Sequence, residues 1–348
     1  MTQSYDPNQT WRWNLLHAPP PHTPAVVAPV KGDWSWCGIS VSSPLGIPAG
    51  PLLDSRWLLH YANLGFDILV YKTVRSLSRE CYPLPNLVPV QTGSLSAAGE
   101  KLPATEQMNG SWAVSFGMPS QSPDVWRKDV EFAREQLPSG KVLVVSVVGT
   151  QDECITDPVA SLQQLADDFA VCAKWAIENG AHGVEANFSC PNVSTADGQL
   201  YQQPEAAGLV AERIRDSIGD APLVLKIGRV ASVEDANELH KHVAPFVNGL
   251  AMTNSIAAQV IADDGQLLFD GQSRGICGDA TRAASIAQTR MCRQTLTASG
   301  HTLDLIGVGG ISTADHVREY LSAGATSVAL ATAAMVDPDI GLQIRSSL

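Results

Sequence analysis

From about Ser43 onward, short apolar runs alternate with longer stretches whose apolar residues return every three or four positions. The short runs predict strands over 45–49, 66–72, 142–148, 183–187, 222–227, 249–253, 303–308 and 327–331. The longer stretches predict amphipathic helices over 54–63, 124–136, 158–179, 204–217, 232–242, 281–298 and 313–322. Start signals agree with that reading: Ser232 has Asp235 three positions on, and Ser312-Thr313 precedes Asp315. Stop signals agree as well, in Asn179-Gly180, Gly219 and Gly324. The strands show little polar alternation, as parallel strands covered on both faces should. Eight strands alternating with helices predict an α/β protein of the (β/α)8 TIM-barrel type. A doubly wound open sheet is the alternative. It would carry G-x-G-x-x-G after an early strand, and the sequence has none.

Two segments fall outside that rhythm. Residues 1–42 read as an irregular Trp- and Pro-rich arm ahead of a barrel domain over 43–348. Pro19-Pro20-Pro21 and Pro24 forbid helix there, Trp34 and Trp36 are expected to pin its end, and the barrel floor is its expected packing surface. Residues 73–141, between the second and third strands, are too long for a simple connection and are rich in Pro, Gly and Ser up to about Pro123. Long ordered insertions at the carboxyl face of a barrel are usually functional.

Composition narrows the function. A net charge of −12 argues against nucleic acid, which needs clustered Lys and Arg. No basic amphipathic stretch suggests a membrane surface, and the longest apolar runs, such as 141–148, are far too short to span a bilayer. The polar start, with Trp11 and Trp13, reads as neither a secretory signal nor an anchor. Seven scattered cysteines without a C-x-x-C pair predict reduced thiols, hence a cytoplasmic location, and neither a disulfide framework nor a metal site. Most of these thiols are expected to be buried, Cys190 excepted because its neighbours are polar. The eight histidines make no metal or triad spacing, and His240 and His242 are expected to be solvated near a helix end.

The candidate chemistry sits at strand ends. In Gly183–Asn192, Glu185, Asn187 and Ser189 should share one strand face, Pro191 stops the strand, and Cys190 and Asn192 follow in the loop. Leu305–Ile311 runs from a strand through Gly309 and Gly310 to a helix start, a turn suited to a phosphate. In a barrel this is strand 7, and Ala331-Thr332 after strand 8 can close the cradle. A structural glycine turn is the competing account. Lys72 and Lys226 each end an apolar strand, where an inward lysine could stabilise negative charge on a reduced flavin. Thr253-Asn254-Ser255 ends the sixth strand. Asn187, Asn192 and Asn254 together suit a neutral, amide-like ligand.

Taken together, these segments resemble the dihydroorotate dehydrogenase family of FMN enzymes from about Ser43 to about Pro338. Asn187-Phe188-Ser189-Cys190-Pro191-Asn192 is similar to the family's N-L-S-C-P-N, in the Cys form of the cytosolic branch rather than the Ser form of the membrane branch. The related barrel of dihydropyrimidine dehydrogenase shares that motif. Tyr71-Lys72-Thr73 resembles the flavin-contacting K-S/T, Thr253-Asn254-Ser255 the T-N-[ST] substrate reader, and Gly275-Ile276-Cys277-Gly278 the G-[LI]-S-G turn.

The resemblance implies FMN as cofactor, a small-molecule substrate and a homodimer. It assigns flavin contacts to Ala49, Gly50, Lys72, Thr73, Asn187, Lys226, Thr253, Gly275, Gly278, Gly309, Gly310, Ala331 and Thr332. It assigns the substrate to Asn187, Asn192, Asn254, Ser255, Gly117 and Met118. It implies oxidation of dihydroorotate to orotate: Cys190 takes the C5 proton as general base, the C6 hydride goes to flavin N5, and Lys72 is catalytic. Residues 193–204 would form a lid.

The chain departs from the family pattern in the substrate half. N-S-M-G-L-P-N reads Val114–Ser120, with Val114 and Ser120 in place of asparagines. N-P-L-P-R reads Tyr82–Asn86, and Ala331 stands where Gly is usual. One lost polar partner weakens a matching ligand by about 1–3 kcal/mol. Another dihydropyrimidine or cyclic amide is therefore the second reading. A phosphate-binding lyase or isomerase is the third, and a non-catalytic binding protein the fourth. The electron acceptor stays open among fumarate, NAD through a partner subunit, and quinone.

Overall fold

The computed structural model describes residues 4–20, 27, 29–189 and 196–348. Eight strands close into a parallel barrel: β3 (Leu45–Ile47), β4 (Ile68–Val74), β8 (Val142–Val147), β9 (Gly183–Asn187), β10 (Leu223–Lys226), β11 (Gly249–Met252), β14 (Asp304–Val308) and β15 (Ser327–Ala329). They pair in that chain order, and β15 returns to β3. These are the eight predicted strands, within a few residues at each end.

Alternation along the strands separates two layers of core. Ile68, Val70, Val144, Val224, Ala251, Ile306 and Ala329 form one apolar cluster, and Leu69, Leu143, Val145, Leu225, Leu250, Leu305 and Val328 belong to another, larger one. The period of two sends the first set into the barrel and the second against the helices. Both faces are therefore buried, and the strands read as continuous apolar runs.

The surrounding helices are α2 (Ser55–Asn63), α3 (Pro123–Gln136), α4 (Pro158–Glu178), α5 (Pro204–Ile218), α6 (Val233–Val243), α7 (Arg282–Ala298), α8 (Ala314–Ser322), α9 (Thr332–Val336) and α10 (Ile340–Ser347). The expected caps form. Ser232 Oγ accepts from Asp235 N at 3.1 Å, and Thr313 Oγ1 from His316 N at 3.2 Å. Gly180, Gly219 and Gly324 take positive φ, as helix-terminating glycines do.

The arm is not irregular throughout, as the sequence suggested. Ahead of the prolines, α1 (Trp11–Leu16) is capped by Thr10, whose Oγ1 accepts from Trp13 N at 3.0 Å. Its helix lies on α2 rather than on the barrel floor: Trp57 Nε1 donates to Asn14 O at 3.2 Å. Tyr5 packs its ring against Trp57 and Phe116. The floor is closed instead by a hairpin of β1 (Trp34–Trp36) and β2 (Ile39–Val41), whose Trp36 joins the cluster inside the barrel.

The insertion after β4 contributes β5 (Leu87–Pro89), β6 (Lys101–Pro103) and β7 (Ser111–Val114). They combine with β12 (Ile256–Ile261) and β13 (Arg274–Gly278), which follow β11, in a five-stranded sheet ordered β5-β7-β13-β12-β6. The sequence reading had no strands in 254–278. Ile256, Ala258, Val260 and Ile276 bury their side chains with Leu102 and Ala113 from the insertion, so a pairing distant in sequence creates this core.

Candidate active site at the carboxyl end of the barrel

A cavity of about 280 Å³ opens where β14 and β15 end. Its wall includes Gly309, Gly310, Ala331 and Thr332 from the barrel, Asn254 from the exit of β11, and Cys277 and Gly278 from the overlying sheet. The glycines are required by close backbone approach. A Cβ on Gly310, at φ +63°, would lie 2.7 Å from Arg282 Cβ and 3.0 Å from Gly278 O. A Cβ on Gly278, at φ +100°, would lie 2.1 Å from Gly110 O. The backbone N–H groups of Gly310, Ile311, Ala331 and Thr332 donate to no described residue. Donors left open around a cavity suit a phosphate.

Beside that cavity the barrel interior turns from apolar to polar. Lys226 ends β10 in register with Asn187 on β9, and both side chains are buried. The Lys226 ammonium has no hydrogen-bond or ion-pair partner among the described residues, although the residue is only 5% exposed. Its charge reaches Cys277, where burial pushes the thiol up to about 11 and Lys226 opposes that shift. Lys72 and Thr73 are buried on β4, and Thr73 Oγ1 lies 3.0 Å from Ser146 Oγ. Burial likewise pushes the Cys81 thiol up to about 11 against the charge of Lys72. Thr253 Oγ1 is buried without a partner among the described residues, while the Thr253 N–H donates to Val308 O at 3.0 Å.

Glu185, Asn187 and Ser189 are all buried, and Glu185 borders a small void inside the barrel together with Val224 and Ile306. Asn187 Nδ2 lies 3.6 Å from Met118 Sδ, which brings the insertion onto the strand end. Gly117 and Met118 have φ of +71° and +52°. A Cβ on Gly117 would lie 2.6 Å from the Tyr82 ring. Neither N–H has a described acceptor. Asn254 Nδ2 donates to Ser189 O and lies 3.2 Å from Ser189 Oγ. Asn254, Ser255 and Ser189 border a second cavity of about 230 Å³.

The substituted positions have structural partners. Ser120 Oγ accepts from Arg75 N at 3.1 Å and donates to Gln121 O at 2.8 Å. Asn86 Nδ2 donates to Tyr82 O at 3.0 Å and to Ser115 O at 2.9 Å, so it braces the loop that carries Gly117 and Met118. Val114, half-buried, faces Gly275 across the β7–β13 pair.

Of the residues singled out from the sequence, Asn254, Gly278, Gly309, Gly310, Ala331 and Thr332 meet on one cavity wall. Asn187 and Met118 meet each other, as do Asn254 and the Ser189 backbone. Ala49, Gly50, Lys72, Thr73, Asn187, Lys226, Thr253 and Gly275 do not border that cavity. Cys190 and Asn192, and the proposed lid up to residue 195, lie outside the described residues. Sequence reading missed Met108, Gly110 and Thr281 on the cavity wall, because each comes from the overlying sheet or its connections. It also misjudged His240. That side chain is 1% exposed, packed toward α7 with Thr295 Oγ1 3.2 Å from its Nδ1, and burial lowers it to about 4. Cys172 and Cys292 are buried as expected, while Cys154 is exposed.

Among the described residues, no helix is long and apolar enough to cross a membrane. No group of three or more His, Cys, Asp or Glu there could hold a metal ion.

Comparison with known proteins gives the family. The family model described as dihydroorotate dehydrogenase matches residues 33–348. A dihydroorotate dehydrogenase of Dictyostelium discoideum is 29% identical, covering 97% of this chain and 95% of that protein. The catalytic subunit of dihydroorotate dehydrogenase B (NAD(+)) from Bacillus thuringiensis (strain Al Hakam) is 24% identical, covering 86% of this chain and 85% of that one. Among solved structures, DHODH from Eimeria tenella in complex with ferulenol superposes with a TM-score of 0.72 at 16% identity, covering 94% of this chain and 84% of that chain.

Proposed function

Because this chain belongs to the dihydroorotate dehydrogenase family, we propose that it oxidises dihydroorotate to orotate, with FMN as its resident cofactor. The observation that carries the reading is the convergence on one cavity of a glycine turn, open backbone donors and Asn254, with Lys226 buried and unpaired beside it. The residues fit the cofactor. The Gly309-Gly310 turn and the Ala331-Thr332 backbone would hold a phosphate, and the buried Thr253 hydroxyl lacks a partner. When bound, the flavin supplies a hydride acceptor.

The chain's own residues would do the rest. Lys226 and Lys72 hold positive charge at the barrel mouth, which favours negative charge developing there. Asn187, Asn192, Asn254 and Ser255 present amide and hydroxyl groups to a ring of alternating carbonyl and N–H groups. The open N–H groups of Gly117 and Met118 suit an acceptor oxygen of the substrate. Cys190 takes the proton from C5 and holds it on Sγ. Residues 1–42 act as an arm and 43–348 as the catalytic barrel of a cytoplasmic homodimer, a state that sedimentation would test.

A visible spectrum of the purified protein, followed by anaerobic addition of dihydroorotate, tests the function. Flavin bands that bleach support it. Bands that persist reject dihydroorotate and turn attention to the pocket around Val114.

A further inference from the structure

The second cavity carries a cation that the reading above does not use. Arg229 lies three residues beyond Lys226, in the connection that leaves β10, and its half-buried side chain borders the cavity of about 230 Å³ with Ser189, Tyr201, Asn254 and Ser255. No other charged side chain borders it among the described residues. The guanidinium has no hydrogen-bond or ion-pair partner there either. In a chain of net charge −12, carboxylates are plentiful, yet none among the described residues is paired with this arginine.

The connection is held in place by three hydrogen bonds from two side chains. Tyr201 Oη donates to Arg229 O at 3.2 Å, Gln288 Nε2 donates to Gly228 O at 2.9 Å, and Val230 N donates to Gln288 Oε1 at 2.9 Å. Gln288 and Tyr201 are themselves buried. Gly228 is needed for this packing, since a Cβ there would lie 2.5 Å from Tyr201 Oη. The fold thus spends two buried side chains on fixing the backbone around a residue whose own side chain bonds to no described residue. A planar fork of donors presented this way matches a carboxylate. The two cavities share Asn254 on their walls, so a ligand in the second lies next to the flavin cavity.

We propose that the cavity bordered by Arg229, Tyr201, Asn254 and Ser255 is a carboxylate-binding subsite with Arg229 as its cation. The carboxylate is either that of the ring substrate or that of a separate small acid admitted to the same site. The inference rests on the proposed function only for the first source.

Calorimetric titration of the oxidised holoenzyme distinguishes them, with orotate, uracil (the same ring without the carboxylate) and succinate as probes, in the wild type, Arg229→Gln and Arg229→Lys. The expected result is about tenfold weaker binding of a carboxylate probe in Arg229→Gln, with partial recovery in Arg229→Lys and uracil unchanged. A loss for orotate assigns the ring substrate, and a loss confined to succinate assigns a separate acid. Equal affinities of both acids in wild type and Arg229→Gln overturn the proposal, as does an equal loss for uracil. Thermal unfolding of each variant separates these outcomes from misfolding. If dihydroorotate fails to bleach the wild-type flavin while succinate binding still depends on Arg229, the proposed function fails and the subsite stands.

Discussion

Asn254 donates its side-chain amide to the carbonyl of Ser189, a residue 65 positions earlier in the chain. The bond ties the exit of β11 to the exit of β9, immediately before Cys190. It also orients the amide, so that its oxygen is free for a ligand in either adjoining cavity. Asn254→Ala is therefore expected to weaken orotate binding by about 1–3 kcal/mol, read from perturbation of the flavin spectrum. An unchanged orotate affinity would remove Asn254 from the substrate site.

The Lys226 side chain is buried and pairs with no described residue, so its charge is available to whatever occupies the barrel mouth. Lys226→Met is expected to slow flavin reduction by about 100-fold and to make the flavin's midpoint potential more negative. Rapid-mixing spectra and a potentiometric titration check the two effects. A variant with the wild-type potential would confine Lys226 to packing.

Cys190→Ala is expected to retain flavin and lose its reduction by dihydroorotate by a factor on the order of 100 or more, with Cys190→Ser less affected. The motivation is the thiol's place between Ser189 and Pro191 at the end of β9. Normal anaerobic bleaching in the alanine variant would exclude the thiol as the base.

Gly310 has φ +63° and contacts at 2.7 and 3.0 Å where a Cβ would sit. Gly310→Ala should distort the turn at a cost of about 1–3 kcal/mol and yield protein with substoichiometric flavin. The flavin-to-protein absorbance ratio is the measurement. Full flavin occupancy would place the phosphate elsewhere.

His240 gives a pH dependence of stability. Burial, and secondarily the nearby His301, lower its pKa from 6.5 to about 4. The unfolded chain therefore binds the proton more readily than the folded one. The stabilisation is complete above about pH 6.5 and is lost as pH falls toward 4, amounting to about 3 kcal/mol. His240→Gln should flatten that part of the profile of melting temperature against pH from 7 to 4.5. Parallel profiles for the two proteins would refute it.

The eight barrel strands and their helices were legible because parallel strands buried on both faces leave apolar runs, and amphipathic helices leave a 3.6-residue period. The Gly309-Gly310 turn was legible because such a turn is written in consecutive residues. Contacts between segments distant in sequence leave no such mark. The sheet that joins 87–114 to 256–278, the burial of His240 against α7, and the bracing of the Gly117-Met118 loop by Asn86 were all decided by tertiary structure. So was the isolation of Arg229. A sequence shows an arginine after a strand, but whether a carboxylate reaches it depends on which surfaces the fold brings around it.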